Sequence, residues 1–170
     1  MKLLLRLLIL GMMLVVCATI FAQKPDFSGS WAMDRARSFG LPGNMNQTMV
    51  ITQTAAELTV ETKLIQPGNE RSVKDNYVLD GKEYEYKPPA PPNTAPEAAP
   101  KGKRTTSWLP NGEGFIANEV ITNQSANGPT TTQITKKWTF TADGELTIAY
   151  FVDGPNGSYE AKRNFTRKKP

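Results

Sequence analysis

Three charged residues stand where an alternating strand pattern calls for apolar ones. Glu119 shares a face with Phe115, Ala117 and Ile121, and Lys136 falls in register with Ile134, Trp138 and Phe140. Arg163 lies between Ala161 and Phe165, with Tyr159 further along. A charge on such a face is costly to bury dry and alone, so each needs a partner, water or a ligand. Two chemistries fit. In one, Lys136 or Arg163 receives the carboxylate of a bound molecule. In the other, the charges answer each other as a Glu119–Lys136 cross-strand pair, or sit at strand ends in water.

Catalysis has little to work with. The sequence has no histidine, and its one cysteine, Cys17, falls in an apolar leader. That removes the usual general base, the thiol nucleophile and the commonest transition-metal ligands. Glu83 and Glu85 flank Tyr84, about 6–7 Å apart along a strand. Their face reads polar and exposed, where carboxylate pKa values are not raised. No nucleophile elbow or phosphate loop is present, and Asp153-Gly154-Pro155-Asn156-Gly157 reads as a turn without an acidic cluster. The expectation is a protein that is not an enzyme and uses no cofactor or metal. N-x-S/T triplets begin at Asn46, Asn123, Asn156 and Asn164; in a chain rich in these residues they read as chance rather than glycan acceptors.

The leader sets the compartment. Lys2 and Arg6 make a positive start, Leu7 to Phe21 an apolar run, and Ala22 a small residue before cleavage, so 1–22 reads as a signal peptide. Its uncharged stretch of about 15 residues is shorter than the ~18–20 needed to span a bilayer. Val16 before Cys17 argues against lipid attachment. Residues 23–170 then form one domain without disulfides, secreted or periplasmic, and expected to be a monomer. The net charge of +4 falls by the two leader cations, too little and too evenly spread to imply nucleic acid or an anionic membrane. The basic runs Lys101 to Arg104 and Arg167-Lys168-Lys169 read as solvated strand ends.

The elements that must position these residues are short strands punctuated by turns. After the strand at Trp31 come Thr48–Gln53, Leu58–Leu64, Ser72–Leu79, Glu83–Tyr86, Thr105–Leu109, Phe115–Thr122, Thr131–Phe140, Leu146–Val152 and Tyr159–Arg167. Asp80-Gly81, Asn111-Gly112, Asp143-Gly144 and Pro155-Asn156-Gly157 supply turns, the first a strong two-residue hairpin signal. The prediction is about ten strands in sequential hairpins. Asp34 to Gly43 breaks the rhythm, with one helical turn possible at Asp34–Arg37. Residues 88–102 include Pro88, Pro89, Pro91, Pro92, Pro96 and Pro100, and read as an exposed, partly polyproline II loop.

Asp26-Phe27-Ser28-Gly29-Ser30-Trp31 resembles the opening of lipocalins, where a G-x-W motif begins the first strand. It also resembles small secreted bacterial proteins that place a D-F-S-G-x-W segment just after the signal peptide. The resemblance implies an all-β, single antiparallel up-and-down barrel of about 8–10 strands, like lipocalins and fatty-acid-binding proteins. It assigns Gly29 and Trp31 a structural role, with an Arg near the last strand, Arg163 or Arg167, stacked on the indole. Fatty-acid-binding proteins hold a carboxylate with an Arg-x-Tyr in their last strand; here Arg163-Asn164-Phe165 keeps the Arg only. The C-terminal helix of lipocalins and the helical lid of fatty-acid-binding proteins have no counterpart in the sequence pattern.

The resulting expectation is non-catalytic binding of a small hydrophobic or amphipathic ligand inside the barrel. Candidate ligand contacts are Arg163, Lys136, Glu119, Tyr84, Trp108, Trp138 and Phe115. The alternative is an envelope-associated interaction or structural module that uses the Pro-rich loop or an outer face and has no ligand cavity.

Overall fold

A computed structural model describes residues 24–40, 43–90, 94–124 and 128–168. The expected signal peptide therefore lies outside the described residues. Ten strands form one antiparallel sheet: β1 (Gly29–Phe39), β2 (Asn46–Gln53), β3 (Glu57–Gln66), β4 (Asn69–Val78), β5 (Glu83–Tyr86), β6 (Lys101–Trp108), β7 (Gly114–Asn123), β8 (Thr130–Phe140), β9 (Leu146–Gly154) and β10 (Gly157–Arg167). Their spatial order is β4-β3-β2-β1-β10-β9-β8-β7-β6-β5. Alternation explains most of them: on β3, Leu58 and Val60 are buried while Glu61 and Lys63 face water.

The sheet curls through 272° but does not close. The break falls between β4 and β5, and this corrects two expectations, the closed barrel and the Asp80-Gly81 hairpin. Gly81 does take the left-handed backbone of a turn, at φ +79. Its N–H, however, donates to the Thr106 carbonyl of β6. The Asp80 carboxylate accepts from the Lys82 N–H and from the Tyr84 hydroxyl. These bonds steer β5 onto β6, where Glu83–Tyr86 pair with 102–105, instead of back onto β4. A turn signal fixes that the chain bends; it does not fix which strand it meets next.

The first and last strands do pair, with Trp31 directly opposite Arg167. The Arg167 guanidinium lies 4.5 Å from the Trp31 ring centroid and donates to the Ser28 carbonyl at 2.7 Å. Gly29 sits at φ +131, and a Cβ there would come within 2.7 Å of that guanidinium. Trp31 donates its indole N–H to the Phe27 carbonyl. Phe27 in turn packs edge-on against Phe115 at 5.2 Å, and Phe115 stacks on Trp138 at 5.1 Å. These rings form one contiguous aromatic group in the interior.

Two irregular segments also differ from expectation. Asp34 to Phe39 continues β1 as strand, with a register shift against β10 and no helical turn. There Ser38 Oγ accepts the Asn164 N–H, and the Asn164 amide donates to the Arg37 carbonyl, which replaces the missing ladder bonds. Asn164 is thereby buried, as a glycan acceptor cannot be. The Pro-rich segment ends where β6 begins at Lys101, and holds a short 3-10 turn at Pro96–Ala98. It is not wholly exposed, because Pro88 is buried.

Candidate functional site

Register carries the interior charges toward one another. Arg104 of β6 lies directly opposite Glu119 of β7, and Lys136 of β8 lies opposite Ala117, one step diagonal from Glu119. Glu119 is 2% exposed. Its Oε1 accepts from Arg104 Nε at 2.9 Å and Lys136 Nζ at 2.7 Å, and its Oε2 from the Tyr86 hydroxyl at 2.8 Å. Three donors, two of them charged, replace the water the carboxylate gave up.

Arg104 is itself 4% exposed and spans the seam. Nη2 reaches Asp75 Oδ1 at 2.9 Å and Nη1 the Asn76 carbonyl at 2.7 Å, both on the edge strand β4. Its guanidinium is sandwiched between the Tyr77 and Tyr86 rings, at 4.1 and 4.0 Å. One side chain thus ties the two sides of the break. Burial works against the charges of Arg104 and Lys136, but Tyr77 and Glu119 outweigh it and hold both cations protonated far above their ordinary range. Burial pushes the Tyr77 phenol up to about 12. The Tyr86 phenol is raised as well, by burial and then by Glu119.

A cavity of about 210 Å³ adjoins the cluster. Met49, Val60, Leu64, Val73 and Trp138 give it apolar walls, and Gln47, Asp75, Tyr77, Lys136, Tyr150 and Arg163 give it polar ones. Arg163 differs from the other two cations. Its Nη1 donates to Gln47 at 2.7 Å and its guanidinium stacks 4.6 Å from the Tyr150 centroid. Among the described residues it has no ion pair, and its buried Nε–H has no acceptor. The Trp138 indole N–H is also buried without an acceptor. Register places Arg163 and Trp138 on either side of Ile148. Pro89 closes part of the cavity wall, and Asp75 separates it from a groove of about 510 Å³ along the seam.

Of the residues singled out from sequence, Arg163, Lys136 and Trp138 meet at this cavity, and Glu119 holds Lys136 beside it. Phe115 lies fully buried in the aromatic group, away from the cavity lining. Trp108 is only partly buried, with Lys24 Nζ 4.8 Å from its ring centroid, and does not line the cavity either. Tyr84 is 41% exposed and bonded to Asp80, so it borders the seam groove rather than the interior. Glu83 pairs with Lys103 in solvent, and Glu85 is exposed.

The reading of Lys101 to Arg104 as solvated is wrong for Arg104. Gly102, Arg104 and Thr106 are buried while Lys101 and Lys103 are exposed. That period-2 signal was present in the sequence, masked by the run of cations. Tyr86 and Asp75 were missed too, because Tyr86 reaches Arg104 through the turn of β5 onto β6 and Asp75 through the curl that carries β4 back over β6. In comparisons with known proteins, no family model and no curated protein matches the chain.

Proposed function

We propose that the protein is an exported, lipocalin-like container that holds a small amphipathic anion without transforming it. The apolar part lies against Met49, Val60 and Trp138, and the acidic group meets Arg163. The observation that supports this is Arg163 itself, a half-buried cation on the cavity wall with no ion pair among the described residues and an unused N–H. Lys136 is a poorer anion receptor, because Glu119 already neutralises it. At about 210 Å³ the cavity is smaller than the ~300–1,000 Å³ of drug-sized pockets, which suits a short carboxylic acid.

Native mass spectrometry of protein purified from cells that export it tests the reading. The wild-type chain should carry, or take up on titration, a small organic acid that Arg163→Met does not. A bare wild-type protein that takes up no short carboxylate would sink the proposal. Gln47→Leu gives a second check, since it frees Arg163 Nη1 and should tighten uptake rather than abolish it.

A further inference from the structure

Strand β4 ends the sheet at the seam. Asn69, Glu70, Arg71 and Ser72 are exposed in succession, so both faces of this half of the strand stand in water. The Asn76 carbonyl, which accepts Arg104 Nη1, shows which backbone groups turn away from β3. By strand alternation those of Lys74, Ser72 and Glu70 turn the same way. No strand pairs with them among the described residues. Their side chains lie on the outer face, where Glu70 pairs with Lys63 at 2.7 Å and Lys74 with Glu61 at 3.3 Å.

We propose that this edge pairs antiparallel with the same edge of a second copy of the chain, about a two-fold axis at Ser72. Ser72 then faces Ser72 of the second copy, and Glu70 of each copy faces Lys74 of the other. The outward N–H and C=O groups of all three residues find partners. Charge selects this register. Axes at Glu70 or Lys74 set like charges against each other, and axes at Arg71 or Val73 set a charge opposite the uncharged Ser72. The Val73 axis would also set Arg71 opposite Asp75, but Arg104 already holds that carboxylate. Only the Ser72 axis joins opposite charges on the outer face, where it extends the existing pairs into a row running Lys63, Glu70, Lys74, Glu61 across both copies. An edge this short buries less than the ~1,200 Å² of a standard interface. The dimer is therefore weak and concentration-dependent.

Sedimentation velocity over a dilution series of the purified protein should show reversible dimerisation. Glu70→Lys and Lys74→Glu should each weaken it about tenfold, since each replaces two attractions by two repulsions. An equimolar mixture of the two variants should dimerise like the wild type, because every cross-copy pair is opposite in charge again. Ser72→Pro removes an N–H that β3 does not use, so it should abolish the dimer while circular dichroism and the melting midpoint stay near wild type. A wild-type protein that is monomeric at every soluble concentration, a mixture that does not recover, or a Ser72→Pro dimer overturns the proposal. None of these outcomes bears on uptake of an acid at Arg163.

Discussion

Around Trp31 the interior is apolar and aromatic, whereas beneath the seam it is ionic, and the two regions are specified by different kinds of contact. Phe27, Trp31, Phe115 and Trp138 are each 2% exposed or less and pack ring against ring, with Phe140 and Tyr77 completing the group. Arg104, Glu119 and Lys136 are also buried or nearly so, but each depends on a named partner at a named atom. An aromatic group tolerates small shifts, because dispersion and area burial are not directional. A buried charge does not. The first region buries large apolar rings, and the second links the two sides of the break, where Arg104 reaches from β6 to the carbonyl of Asn76.

The sharpest way to break the aromatic side is Trp31→Ala. It removes a fully buried indole and the surface under Arg167, and should cost about 3–5 kcal/mol in urea denaturation. An unchanged midpoint would mean that the Gly29–Trp31 opening has no structural weight. On the ionic side, Glu119→Leu should cost about 3 kcal/mol, since it strands Lys136 in the interior and leaves Arg104 with Asp75 as its one counter-charge among the described residues. Changing Arg104 to Met, Glu119 to Leu and Lys136 to Met together should cost less than Glu119→Leu alone. If the triple variant is the worse, the cluster stabilises by more than mutual neutralisation.

Alkaline pH separates the regions without mutation. Tyr77 ionises near 10 when unfolded and at about 12 in the fold, so the folded state holds the extra proton. Its contribution is complete below pH 10 and is lost as pH rises from there toward 12, at about 1.4 kcal/mol per pH unit. Tyr77→Phe should make that decline shallower in urea melts collected across the window, while Trp31→Ala leaves its slope alone. Gly102→Val should have a smaller effect, about 1–3 kcal/mol of overpacking, because a Cβ at this position collides with Tyr86 and Pro88. The smallest stability change is expected for Arg163→Met, whose signature is loss of the bound acid instead.

The two regions also differed in how legible they were. Period-2 alternation and turn residues located all ten strands, because each depends on local pattern. The Trp31–Arg167 contact could be anticipated from the resemblance, which offered Arg163 or Arg167 as the partner of the indole. The break in the barrel could not. It depends on a bond from Gly81 to Thr106 of a strand that begins twenty residues later, and nothing in Asp80-Gly81 distinguishes that turn from an ordinary hairpin. Arg104 was hidden by its neighbours Lys101 and Lys103, whose charges do face water. The Pro-rich segment holds one local exception to its expected exposure. Its composition argued for exposure, yet Pro88 packs against Gly102, where the absence of a side chain leaves it room.

The sheet order holds one more consequence. Chain continuity and sheet continuity disagree at two places only. Between Val78 and Glu83 the polypeptide runs on while the ladder stops, and between β1 and β10 the ladder runs on, with the Lys168 N–H reaching the Ser30 carbonyl, while the polypeptide does not. Cutting the backbone at Gly81 and joining residue 168 to residue 24 through a flexible linker, so that Phe27 stays in place, would therefore turn a sheet stitched from two meanders into a single meander, each strand followed in sequence by its neighbour in space. Such a rearranged chain should keep every pairing described above and fold faster, because its longest-range ladder has become a local one.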